Sequence, residues 1–196
     1  MFSSRLWNLF IDSFPKMFIR GLTVTIPLTA IAFSLAMVIA VIVALVQFAN
    51  IKVLKQICRF YIWIFRGTPL LVQLFIVFFG LMNVGLVLEP FLAAVIVFAL
   101  NEGAYGAETV RASLESVPSG QLEAGQCAGL SYLQTIFRIV LPQAMRTAFP
   151  SLFNALISML KDTSLAATIT VTEMFKVSQQ IVARTYEHFC CIWRSV

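Results

Sequence analysis

The sequence predicts an all-α integral membrane fold with four transmembrane helices and a short helical hairpin between the third and fourth. Composition is the first reason. Of 196 residues, 60% are hydrophobic and 12% charged, and the mean hydropathy is +0.90. A soluble domain of this size carries roughly twice that share of charge, about 25%. The second reason is that apolar runs recur near 21–47, 60–82, 91–112 and 143–161, joined by short polar loops. The third is the stretch QLEAGQCAGLSYLQTIFRIVLP, Gln121–Pro142, too polar and too short to cross a bilayer. One domain accounts for 1–196.

Residues 1–20 bring Trp7, Phe10, Ile11, Phe14 and Phe18 to helical spacing, with Arg5, Lys16 and Arg20 able to reach head groups. That pattern predicts an interfacial segment rather than a cleavable signal. The first span runs from about Gly21 to Gln47. Thr23, Thr25, Thr29 and Ser34 within it can bond preceding carbonyls, so they need not mark a pathway.

Asn50–Arg59 is predicted as the first loop. The second span, Phe60–Met82, is interrupted by Arg66-Gly67-Thr68-Pro69, a break that frees backbone groups for neighbours or water to satisfy. Two readings of Arg66 stand side by side: it snorkels to the interface beside a kink at Pro69, or it serves a transport path.

The loop 83–90 has no basic residue. In the third span, Phe91–Ala112, Asn101, Tyr105 and Glu108 share a face, and Glu108 can pair with Arg111. Glu102 lies near mid-span, where a carboxylate must be protonated, paired or exposed to a water-filled interior; it is a functional candidate.

The hairpin, about 117–142, reads as two helices. The first carries Leu122 and Glu123 and loosens at Gly125 and Gly129. The second opens on a capping box, Ser131 to Gln134. Leu133, Ile136, Phe137, Val140 and Leu141 then share one face, and Pro142 stops the run. In the fourth span, Gln143–Lys161, which Pro150 interrupts, Thr147, Ser151, Asn154, Ser158 and Asp162 form one polar stripe. Ser158 and Asp162 are read as facing a pathway. Beyond it, 161–187 predicts a short helix at the outer surface, with Glu173 and Lys176 three apart.

Several functions are set aside. The net charge of +5 comes from lysines and arginines flanking spans and needs no nucleic acid. Cys58, Cys127 and the adjacent Cys190 and Cys191 lack metal-ligand spacing, and His188 is a plain surface residue. No nucleophile–base pair marks an enzyme, no cofactor or metal is expected, and no G-x-x-x-x-G-K-[ST] run binds ATP. Orientation follows from the basic residues: 83–90 carries none, whereas Arg111, Arg138 and Arg146 surround the hairpin. This places the N-terminus outside and the hairpin in the cytoplasm.

Glu123-Ala124-Gly125, then Gly129, then Ile139-x-Leu141-Pro142 resembles the E-A-A-x3-G-x9-I-x-L-P motif of the permease subunits of ATP-binding-cassette (ABC) importers, with Gly125 replacing the second alanine. Arg66–Gln73, Ala104-Tyr105 with Ala107-Glu108, and Lys161–Leu165 resemble the subfamily importing polar amino acids. The resemblance covers about 12–187. It implies that the hairpin is a coupling helix seated on a separate ATPase subunit, with Glu123, Ala124, Gly129, Leu141 and Pro142 in that role. It also implies a second permease subunit, identical or related, and an extracytoplasmic solute-binding protein. Arg66, Asn101, Glu102, Ser158 and Asp162 are the expected substrate path for a zwitterion. Family members carry five spans; the nine residues after Glu187 are too few for a fifth, so that span is expected to be absent through truncation or an altered reading frame. The competing expectations are an ion-coupled secondary transporter using Glu102 or Asp162, and a truncated relic that binds ATPase without transporting.

Overall fold

The computed structural model describes residues 4–49 and 52–185, with side chains from Ile11 to Arg184. Its described residues are mostly helical, with no strand among them. Helix α1 (Ser4–Arg20) joins α2 (Ile26–Phe48) through a π turn at Gly21–Thr25. Helix α3 (Lys52–Gly67) breaks into α4 (Leu70–Phe75), which continues through a second π turn, Ile76–Gly80, into α5 (Leu81–Asn83). Helix α6 (Pro90–Glu115) is followed by the hairpin helices α7 (Gly120–Cys127) and α8 (Tyr132–Thr135). A third π turn, Ile136–Val140, leads into α9 (Leu141–Asp162), then a 3-10 turn, Thr163–Ile169, and α10 (Met174–Thr185).

Two helices, Ile11–Phe48 and Pro90–Glu115, are long and apolar enough to cross a membrane, or three if α3 with α4–α5 counts as one broken span. Helix α9 is not among them: its polar stripe lowers its hydropathy. The interfacial segment is not a separate element either. Ile11–Phe48 is one helix of 38 residues, about 57 Å at 1.5 Å per residue and so longer than the hydrocarbon core. Ile11, Phe14 and Phe18 are exposed along it. Trp7, Phe10 and Arg5 lie outside the described side chains, as do His188, Cys190 and Cys191.

Prolines explain two of the π turns. Pro27 and Pro142 each sit two residues past one. A proline ring clashes with the carbonyl four residues back and supplies no N–H. Widening the preceding turn removes the clash without ending the helix. The i→i−5 bonds that result are present: Ile26 N–H donates to Gly21 O, and Leu141 N–H to Ile136 O. Pro142 therefore does not stop its run, and α8 to α9 is one continuous helix. Pro150 is likewise accommodated inside α9. The expected first loop is also mostly helix, since α3 begins at Lys52.

The core is the packing of α2 on α6. Ala32, Ala36, Ala40 and Ala44 are fully buried at four-residue intervals, so one row of small side chains runs along α2. Opposite it, Gly103 and Gly106 of α6 are buried. A Cβ at Gly103 would lie 2.9 Å from Ile39 Cγ2 and 3.0 Å from the Tyr61 hydroxyl, and one at Gly106 3.0 Å from Ala40 Cβ. In lipid, where apolar side chains gain nothing by leaving solvent, this close approach is the main source of helix association. Tyr61 adds a hydrogen bond from α3 to the Leu100 carbonyl.

Helix α10 returns to the start of the chain. Met174 N–H reaches Thr25 Oγ1 at 3.4 Å. Glu173 does not pair with Lys176 as its spacing allows; it is buried and accepts from the Phe175 and Lys176 N–H groups, both at 2.7 Å. Lys176 Nζ donates instead to Ala167 O. The hydroxyls of Thr23, Thr29 and Ser34 donate to carbonyls four residues back.

Candidate functional site

The break between α3 and α4 builds the site. The two helices meet at 103°, far sharper than a proline kink, with Pro69 extended at φ −61°, ψ 137°. The turn strands carbonyls that a helix would satisfy. One side chain takes up most of them. Gln73 Nε2 donates to Phe65 O at 2.8 Å, Thr68 O at 3.0 Å and Thr68 Oγ1 at 2.8 Å. Asn101 of α6 completes the brace, donating to Gln73 Oε1 at 3.1 Å and Phe65 O at 3.3 Å. Gln73 was read only as part of a motif; its structural work is to hold the break open. Replacing it with leucine, of similar size, leaves those carbonyls unpaired. Gln73→Leu is expected to cost roughly 1–3 kcal/mol and to lower the midpoint of thermal unfolding in detergent, and Gln73→Glu, which sets an acceptor against the same carbonyls, does not restore it.

A cavity of about 730 Å³ opens beside the break, within the range of small-molecule sites. It is lined by Arg66 to Leu70, by Asn101, Glu102, Tyr105, Glu108 and Thr109 of α6, and by Ala155, Ser158 and Asp162 of α9. All five residues expected on a substrate path thus border one space, although Asn101 directs its amide N–H groups at the break. Thr147, Ser151 and Asn154, higher on the same stripe, are outside the lining. Arg66 lies over the Tyr105 ring, 5.2 Å from its centroid, and its NH1 is 3.9 Å from Glu108 Oε2. Arg111 holds Glu108 more closely, through Nε to Oε1 at 3.2 Å and NH2 to Oε2 at 3.0 Å, and reaches Glu115 at 2.6 Å. The Glu108–Arg111 spacing foretold the first pair; nothing local in the sequence foretold the long-range approach of Arg66.

The hairpin is built from standard stops and starts. Gly125 does not loosen α7, which runs on to Cys127. Gly129 ends it in the left-handed region, φ 77°. Gly129 N–H donates to Gln126 O at 2.9 Å and Leu130 N–H to Gly125 O at 3.0 Å, a Schellman motif. The capping box opens α8: Gln134 N–H donates to Ser131 Oγ, and Ser131 N–H to Gln134 Oε1. The expected single apolar face is split. Ile136 and Val140 are buried, while Leu133 and Phe137 are exposed and border an apolar groove with Leu45 and Phe48. Glu123, Ala124, Gly129 and Pro142 are exposed and Leu141 is half-buried.

Gly125 has a steric reason to lack a side chain. Its Cβ would lie 2.5 Å from Thr135 Cγ2 and 2.6 Å from Thr135 Oγ1. Thr135 is fully buried and donates to Ser131 O. Gly125→Ala is expected to destabilise the hairpin by about 1–3 kcal/mol; adding Thr135→Ala restores it. Thermal unfolding of the single and double variants reads the coupling.

A broken apolar helix, a polar cavity against it and a helical hairpin outside the apolar runs together define a membrane permease. The comparison with known proteins is specific. Residues 36–187 match the family described as binding-protein-dependent transport system inner membrane component, and the chain belongs to that family. It is 44% identical over 187 residues to the permease protein of the L-cystine transport system of Bacillus subtilis strain 168, covering 95% of this chain and 80% of that one. It is 37% identical over 189 residues to the nopaline transport system permease of Agrobacterium fabrum, covering 91% and 78%. Among solved structures, an amino acid ABC transporter with histidines superposes with a TM-score of 0.82 at 34% identity, over 91% of this chain and 84% of that one.

Proposed function

We propose that this chain is the permease subunit of an ATP-driven importer of polar amino acids, a single domain whose hairpin engages a separate ATPase. The observation that carries this reading is the cavity. A guanidinium from the α3–α4 break faces carboxylates from α6 and α9 across one space, which suits the opposite charges of a zwitterion. The names of the relatives, for cystine and nopaline transport, support an amino-acid substrate. In this reading α9 is the fourth span, the N-terminus is outside and the hairpin is cytoplasmic. A second permease subunit, an extracytoplasmic solute-binding protein and the lipid bilayer complete the surroundings. ATPase closure displaces the hairpin; because α8 runs unbroken into α9, that displacement is delivered to Ser158 and Asp162.

The experiment is uptake of labelled amino acids into proteoliposomes holding the assembled transporter. ATP-dependent uptake that survives collapse of the ion gradients is expected. Uptake that persists without ATP and stops when the gradients collapse identifies an ion-coupled carrier instead, and ATPase binding without any uptake identifies a relic.

A further inference from the structure

The charges lining the cavity are unequally provided for. Arg66, Glu102, Glu108 and Asp162 all face it. Glu108 is engaged on its own helix, where Arg111 takes both of its oxygens. Arg66 approaches that carboxylate only to 3.9 Å, and its other contact is the face of Tyr105, so its N–H donors stay open to the cavity. Glu102 and Asp162 differ from both. Among the described residues neither has a hydrogen-bond or ion-pair partner. Lys161, beside Asp162 in the chain, is not part of the lining. Glu102 is half-buried and Asp162 is exposed to the open cavity, and carboxylates on helices at membrane depth are costly until something positive meets them.

We propose that the cavity takes an amino acid with a second cationic nitrogen, a diamino acid or its guanidino equivalent. This rests on the transport reading above and narrows its substrate class. Arg66 receives the carboxylate, and Glu102 and Asp162 receive one nitrogen each. The two acids come from different helices, α6 and α9, and a cavity of about 730 Å³ holds an extended ligand between them. A substrate with a single ammonium satisfies one acid and leaves the other without a partner, which is a penalty against that substrate rather than a missing attraction.

The test is equilibrium dialysis of the purified permease–ATPase complex with labelled lysine, ornithine, cystine, glutamine and glutamate. The solute-binding protein is left out, so that any selection is made by the permease. Lysine or ornithine is expected to bind at least about tenfold tighter than glutamine. Glu102→Gln and Asp162→Asn are each expected to erase most of that margin. Competition on the unsubstituted complex decides the matter even where a variant fails to assemble. Glutamine binding as tightly as lysine and ornithine, or glutamate or cystine binding tightest, overturns the inference while ATP-driven uptake of any of them leaves the transport reading intact. Binding of none of them, with no ATP-driven uptake, overturns both.

Discussion

Glu123→Arg is expected to separate the permease from its ATPase and abolish ATP-driven uptake. Glu123 stands exposed in the first turn of α7, without an ion-pair partner among the described residues. It therefore contributes little to the fold of this chain, and reversing its charge leaves the hairpin's caps and its Gly125–Thr135 contact untouched. Its effect falls on whatever the hairpin docks against. Losing a charged contact that docking desolvates costs about 2–5 kcal/mol, or roughly 30- to 5000-fold in affinity. Co-purification with the ATPase measures it directly, and unchanged unfolding of the variant permease attributes the loss to docking. Full association of the variant removes Glu123 from the interface.

Gly103→Leu is expected to have the largest effect on the fold. The substituted Cβ alone lies within 3.0 Å of Ile39 and Tyr61 atoms, and Ile39 Cβ stands at 3.1 Å. The Ile39 Cβ moves only with the α2 backbone, and withdrawing Tyr61 breaks its hydrogen bond to Leu100 O. Helices α2 and α6 must part, and the row from Ala32 to Ala44 loses its partner surface. Overpacking of a close helix contact costs typically 1–3 kcal/mol, and a whole leucine at a backbone-to-side-chain contact exceeds about 3 kcal/mol. Aggregation during size-exclusion chromatography, or a large fall in unfolding temperature, reads the loss. Gly80→Leu is the control, since a Cβ there meets nothing closer than 3.9 Å.

Much of the architecture is legible in the chain because local rules write it there. The capping box at Ser131–Gln134, the glycine stop at Gly129 and the pair Glu108–Arg111 each depend on residues within four positions of one another. The polar break at 66–69 was legible as a break, but its 103° bend was not. The angle is held by Gln73 and by Asn101, 28 residues further on, and long-range hydrogen bonds leave no periodic trace. Two of the prolines do not end their helices. Pro142 and Pro150 look like stops, yet a π turn ahead of Pro142 lets one helix carry the hairpin into α9. Leu133 and Phe137 are exposed while Ile136 and Val140 are buried, a split that apolar spacing alone does not reveal. The role of Gly103 and Gly106 in α6 is not legible, because a small residue in an apolar run gives no signal of what lies across from it. The cavity itself came from spacing on two helices: Asn101, Tyr105 and Glu108 on one, Ser158 and Asp162 on the other. What brings those faces together is the α2–α6–α9 packing.

The claim on which the rest depends is that the hairpin stands on the ATP side of the membrane. Cys127 is exposed at the end of α7 and reports its side directly. With Cys58, Cys190 and Cys191 changed to serine, a membrane-impermeant maleimide is applied to right-side-out and inverted vesicles. The account expects labelling of Cys127 in inverted vesicles alone, blocked when the ATPase subunit is bound; labelling from the outer face contradicts it.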